Sequence, residues 1–284
     1  MRRLLPAALV LALAPTAGAY VLYTSPAFDA VPLRWTDRST AFIQDSNQPE
    51  EIDASRAQEA IAASFDVWKG LTCNGVALGW TFTNDGVVSG RTIGFDERAG
   101  AANENLVKWV GTGWDHQSNV VALTSLTYDL YTGEIVDADI EINDRNFRFA
   151  LVPGREEMDL QNTVVHEIGH FLGLDHSTKE FPDATMFASA PPQETKKRDL
   201  TQDDIDGYCA LYGAGAAPWP VVIGTLPPKG QESACTQEVT ANSTTIRCGP
   251  ELHEGCSAGL GTSARGSAIG VLALALGLLL LRRC

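Results

Sequence analysis

Residues 166–176 read His166-Glu167-Ile168-Gly169-His170-Phe171-Leu172-Gly173-Leu174-Asp175-His176. His166 and His170 are four residues apart, so on a helix both imidazoles project from one face. Such a pair can fill two corners of a tetrahedral zinc site. Gly173 lets the chain leave the helix through a left-handed turn, and the reversal returns His176 as a third ligand. Three neutral imidazoles leave one position for water, which is the arrangement of a catalytic rather than a structural zinc. Glu167, beside the first ligand, can take the proton of that water and pass it on to a leaving group. The chain holds five histidines, and three fall within these eleven residues, so a chance pair on a buried helix face is a poor account of them.

Outward from this stretch, Met158–Leu172 is expected to be helical with Asp159 as N-cap. A second helix is expected over Asp53–Leu71, where Ala57, Ile61, Phe65 and Trp68 repeat along one face. A third is expected to start at Thr201, whose T-x-x-D spacing with Asp204 is a start signal, and to end before Gly213. Strand patterns cover Leu33–Gln44, Val76–Thr83, Arg91–Phe95, Asn105–Val110, Val120–Tyr128 and Glu134–Ile142, with a turn at Asp129–Gly133 before the last. The stretch from Gly173 to Arg198 reads as irregular.

The extended pattern of three histidines and a glycine is that of the metzincin zinc peptidases, and the surrounding residues resemble one branch of them, the matrixins. The similarity rests on Gly169–Ser177, on Leu200–Gly207 with Leu211-Tyr212-Gly213, and on Arg34-Trp35-Thr36. It spans roughly residues 30–213 and is strongest over 160–213. The resemblance implies an α+β catalytic domain with a twisted, mostly parallel five-stranded sheet, an antiparallel edge strand and three helices. It implies one catalytic Zn2+ on His166, His170 and His176, with Glu167 as general base. It implies a methionine turn beneath the metal, which Ala184-Thr185-Met186-Phe187 fits through Met186. The substrate implied is a protein or peptide bound as an extended strand along residues 119–128. A competing class is a non-catalytic surface adhesin or binding protein on the same scaffold, which has no need of the Glu167 carboxylate.

Three departures from the family pattern matter. A propeptide cysteine that blocks the zinc is not expected between Ala19 and the domain; Arg247-Cys248-Gly249-Pro250 resembles that latch but lies at the other end. The histidines of a second, structural zinc are missing, and Asp137, Asp139, Glu141 and Asp144 stand near that stretch. They offer oxygen ligands for Ca2+, or else form an acidic strand edge facing water. Met186 is followed by Phe187 rather than the family's tyrosine, so the specificity pocket does not carry over.

Both ends read as addresses. Arg2 and Arg3, an apolar run from Leu4 to Leu13 and Ala17-Gly18-Ala19 form a signal-peptide pattern over residues 1–19, with Tyr20 as the expected new N-terminus. Residues 257–284 carry an apolar run from Ala268 to Leu281, shorter than the roughly 20 residues of a stable span, closed by Arg282-Arg283-Cys284. With Cys256 and a small-residue spacer this resembles the C-terminal sorting signals of some Gram-negative bacteria, the MYXO-CTERM type above all; a plain anchor is the other reading. The chain is thus expected to be exported, and surface-attached or released. Between the ends lie the domain, 20–213, and a Pro-rich linker or stalk, 214–256.

The chain has 284 residues and a net charge of −14; residues 20–256 hold 16 basic against 35 acidic side chains, a net of −19. A field of that sign repels phosphate backbones and excludes nucleic acid as a partner. Export makes disulfides expected. Cys73, Cys209, Cys235 and Cys248 allow three pairings. The expected set is 73–209 and 235–248, because a stalk this short needs a local staple.

Overall fold

The apolar spacing of residues 57, 61, 65 and 68 does produce a helix, and the histidine-bearing helix packs against it. The computed structural model describes residues 19–98, 101, 103–227, 235–240 and 242–248. In chain order its elements are β1 (Val21–Leu22), β2 (Ser39–Asp45), α1 (Ala54–Lys69), β3 (Thr72–Cys73), β4 (Val76–Ala77), β5 (Thr81–Val88), β6 (Leu106–Trp109), β7 (Ala122–Tyr128) and β8 (Ile135–Ile142). They continue with β9 (Arg148–Ala150), β10 (Glu157–Asp159), α2 (Leu160–Phe171), β11 (Leu174–Asp175), α3 (Gln202–Tyr212), β12 (Val221–Gly224), β13 (Cys235–Thr240) and β14 (Ser243–Cys248).

The main sheet has the order β5-β2-β6-β8-β7. The first four strands are parallel and β7 runs antiparallel on the edge. With three α-helices among the described residues, this is the α+β architecture expected from the sequence. Asp53 caps α1, accepting from Arg56 N at 3.0 Å. Asp159 caps α2, accepting from Asn162 N at 2.7 Å. Both caps satisfy a free donor of the first turn. Phe65 of α1 stacks on Phe42 at 3.8 Å between ring centroids, and Trp68 donates its indole N–H to Val165 O of α2 at 3.0 Å. These rings tie the two helices to the sheet and to each other.

Three strand expectations need correction. Leu33–Gln44 is not one strand: β2 begins at Ser39, and Arg34 makes only an isolated parallel bridge to Glu134. Val76–Thr83 divides into β4 and the start of β5, because Asn74, Gly75 and Gly79 take positive φ and turn the chain. Arg91–Phe95 is not a strand; Gly94, at φ +105°, aims its N–H at Asp139 Oδ2, 2.6 Å away. The β-branched Thr92-Ile93 pair gives a strand-like composition there, but the glycine and that long-range bond decide the backbone.

The described part of the expected stalk folds into a second sheet, order β12-β14-β13. Cys235, Ile246 and Cys248 of this sheet bury against Phe28, Val31 and Tyr131 of the preceding domain. Among the described residues the disulfides are Cys73–Cys209 and Cys235–Cys248. The signal-peptide and C-terminal sorting patterns lie outside the described residues, apart from Ala19. Among the described residues no helix is long and apolar enough to cross a membrane.

Candidate metal centre

The helix α2 holds its functional end by having every nearby carbonyl answered. The Trp35 indole donates to Phe171 O at 2.8 Å, and the Tyr212 hydroxyl to Leu172 O at 2.7 Å. Gly173 then turns the chain at φ +94°, and its carbonyl accepts from Tyr23 N at 2.9 Å. A Cβ at residue 173 would lie 2.2 Å from Leu33 O, which is backbone and cannot step aside. Gly173→Ala is therefore expected to cost at least about 2–3 kcal/mol and to weaken zinc binding by displacing His176. Urea unfolding and competition with a chelator read both effects; unchanged affinity would contradict this account of the turn.

His166 and His170 emerge from α2 and His176 from just beyond β11. His166 Nδ1 lies 2.6 Å from Thr185 O and His170 Nδ1 lies 2.8 Å from Leu174 O. Each carbonyl can only accept, so both rings carry their proton on Nδ1 and turn a lone pair on Nε2 inward. The inward Nε2 atoms of His166 and His170 lie 3.3 and 3.2 Å from that of His176. A proton on His176 Nε2 answers at most one of these two contacts, so at least one pair of lone pairs is left face to face unless a cation lies between the rings. The spacing matches the edge of a tetrahedron, about 3.3 Å for metal–nitrogen bonds of about 2.0–2.1 Å. Three imidazoles so arranged fit zinc. Burial, foremost, holds all three below the usual imidazole pKa, His170 at about 3, which keeps them neutral.

Glu167 is almost fully buried. Thr124 Oγ1 on β7 lies 2.7 Å from its Oε2 and 3.0 Å from its backbone carbonyl. Burial raises the Glu167 pKa to about 7, against the opposing pull of Thr124 and of Lys197. A carboxylate near 7 is well placed to accept a proton and release it.

Met186 is buried under α2, and a Cβ on Gly169 would meet its Sδ at 2.1 Å. The glycine in the sequence pattern is the gap that lets the methionine approach. The turn is fixed by Asp204, which accepts from Met186 N and Thr185 N, both at 2.9 Å, and from Thr201 N at 2.8 Å. The same carboxylate thereby starts α3 and holds the methionine turn. Asp203, its neighbour, accepts from Ala19 N at 2.6 Å and Tyr20 N at 2.9 Å.

Among the described residues, the three histidines are the one group of three or more such ligands that converge; Asp137, Asp139, Glu141 and Asp144 are not so gathered. Asp139 accepts from Gly94 N and Leu106 N, and Glu141 Oε2 lies 3.2 Å from His116 Nε2. Burial, with the Asp139 charge beside it, raises Asp137 to about 7. A carboxyl whose folded pKa lies above its unfolded value of 3.8 stabilises the fold fully below pH ~4, and that contribution is lost as pH rises towards ~7. Asp137→Asn is expected to remove about 1–3 kcal/mol of stability loss between pH 4 and 8, read by urea unfolding at both pH values; an unchanged pH slope would refute it. Thr124, Lys197, Asp203 and Asp204 are site neighbours that sequence reasoning missed as such. Of these only Asp204 carried a signal, its T-x-x-D spacing.

The β7 edge is open. Asn143 N donates to Val121 O at 3.0 Å, so Ala122 and Ile142 form a non-hydrogen-bonded pair and the Ala122 amide points away from β8. Thr124, two residues on, shares that orientation and touches Glu167.

The family profile for Peptidase_M10, Matrixin, matches residues 34–213. Metalloendoproteinase 2-MMP of Arabidopsis thaliana is 28% identical over 202 residues, covering 69% of this chain and 45% of that protein. Metalloendoproteinase 1 of Glycine max is 51% identical over 61 residues, 22% of this chain and 19% of the relative. Human neutrophil collagenase is 47% identical over 55 residues, 19% of this chain and 11% of the relative. The chain thus spans less than half the length of each of these relatives.

Proposed function

Because this chain belongs to the matrixin family, we propose that it is an exported zinc metalloendopeptidase that hydrolyses peptide bonds of extracellular proteins. The observation that carries the reading is the convergence of three Nε2 atoms at 3.2–3.3 Å next to a buried carboxylate that is not one of the ligands. When bound, zinc supplies a Lewis acid and lowers the pKa of its water towards about 7. Glu167 is the general base: it accepts the proton of the attacking water and delivers it to the departing amine. Thr124 holds Oε2 of that carboxylate in place. The β7 edge pairs with the extended substrate through the outward amides of Ala122 and Thr124. Met186 supports the histidines from below.

In this reading residues 1–19 direct export, 20–213 form the catalytic domain, 214–256 connect it to the tail, and 257–284 attach or sort the protein at the cell surface. The support for both ends is their charge and apolar pattern. Zinc per chain and cleavage of a peptide library by the purified exported protein test the activity. One zinc, with cleavage abolished by chelator and restored by zinc, is expected. One zinc with no cleavage would move the protein to the non-catalytic binding class.

The substrate edge is tested separately. Ala122→Pro removes one outward donor without breaking the β7–β8 ladder. A hydrogen bond of this kind contributes about 0.5–1.5 kcal/mol, so kcat/KM should fall about 3–10-fold. Unchanged turnover would place the substrate elsewhere.

A further inference from the structure

The loop that leaves Met186 returns to α2 at a 3₁₀ turn, Lys196–Arg198. Lys197 N donates to Asn162 Oδ1 at 2.8 Å, and Arg198 Nε to Asp159 Oδ1 at 2.8 Å. Both bonds hold the turn against the first turns of α2. The Lys197 side chain runs inward and is 3% exposed. Its Nζ donates to Phe187 O, the carbonyl next to Met186, and its charge acts on Glu167 and on all three histidines. The ammonium therefore lies inside the loop that walls the metal centre.

Buried lysines are normally paired, and an ammonium has three donors. Among the described residues no carboxylate comes within 4.0 Å of Lys197 Nζ. Of the acids whose charge reaches Lys197, Glu194 acts most and keeps a buried Oε1 with no hydrogen bond, yet it stands beyond salt-bridge reach of the ammonium; the others are engaged elsewhere. Asp183 and, through its Oε2, Glu194 pair with Lys196 at 3.2 and 3.5 Å, Asp159 pairs with Arg198, and Asp204 holds the methionine turn. In a chain of net charge −14, a buried ammonium with no carboxylate within salt-bridge distance is an anomaly, and its charge reaches Glu167 and the three histidines. Successive side chains of an extended peptide point to opposite sides, so one residue next to the scissile bond must direct its side chain towards α2 and this loop.

We infer that Lys197 sets substrate specificity, its ammonium receiving the carboxylate of an Asp or Glu that adjoins the scissile bond. The inference rests on the peptidase reading. A basic side chain at the same place meets like charge and is rejected.

The test is a peptide series in which each residue flanking one scissile bond is in turn Glu, Asp, Gln, Leu or Lys, presented to the zinc-loaded full chain. Wild type is expected to show kcat/KM at least 10-fold higher for Glu than for Gln at one flanking position, and lower still for Lys. Lys197→Met should bring Glu and Gln to parity with zinc content retained, and Lys197→Glu should favour Lys. Wild-type cleavage with no acidic preference on either side would overturn the proposal whatever the variants do, and would mean that Glu194 answers the lysine within the loop. An acidic preference that persists in Lys197→Met would overturn it too. If wild type binds zinc but cleaves no peptide, the peptidase reading fails first and takes this inference with it.

Discussion

Glu167→Ala is expected to lower kcat/KM by about 10²–10⁴-fold while leaving zinc content at one per chain. The two effects separate because Glu167 touches none of the atoms that orient the ligands; those are the carbonyls of Thr185 and Leu174. Truncation also leaves no stranded hydroxyl, since Thr124 Oγ1 keeps the residue 167 carbonyl at 3.0 Å as an acceptor. Fold and metal site should therefore survive, and the loss should fall on the proton transfer. Peptide turnover and metal analysis on the same preparation make the check. Retained activity would remove Glu167 from the chemistry. Lost zinc would mean that the carboxylate holds the site together.

Replacing both Cys73 and Cys209 by Ala is expected to cost about 5 kcal/mol. The bond joins residues 136 apart, and a loop of that length carries close to the largest unfolded-state entropy penalty a single crosslink can impose. It links the hairpin after α1 to α3, so every ligand, the general base and the methionine turn lie within the closed loop. At roughly 2–4 °C per kcal/mol for a chain of this size, the melting temperature should fall by roughly 10–20 °C. The 13-residue separation of Cys235 and Cys248 closes a short loop, and its removal should cost less, about 3 kcal/mol. Calorimetry of the two double variants gives the ranking; equal losses would contradict the loop-length argument.

What the sequence made legible was local. The helical spacing of His166 and His170, the left-handed turn at Gly173 and the caps at Asp159 and Thr201 each depend on residues within one or two turns of chain. The five-stranded, mostly parallel sheet with its antiparallel edge strand followed from the family resemblance; its strand order did not. The misreadings arose where distant groups override local composition. Leu33–Trp35 looks like the head of a strand, yet Trp35 spends its backbone N–H on the Tyr212 hydroxyl and its indole on α2. Thr92-Ile93 looks extended, yet the following glycine serves Asp139. Lys197 looks like one more solvated charge in a Lys-Lys-Arg run; only the packing of the 3₁₀ turn on α2 brings it inside. Thr124 is an ordinary strand residue until β7 is laid beside Glu167.

Asp204 joins what would otherwise be two separate structures, the floor beneath the histidines and the start of α3. Opening the start of α3 strips the loop of its acceptor, and opening the loop leaves the Asp204 carboxylate without two of its donors, so the two cannot fray independently. The amide hydrogens of Thr185 and Met186, although they lie in an irregular loop, should exchange with solvent only as slowly as α3 itself opens. The metal floor thus takes its lifetime from a helix that contributes no ligand, and α3 is in turn pinned by the Cys73–Cys209 bond.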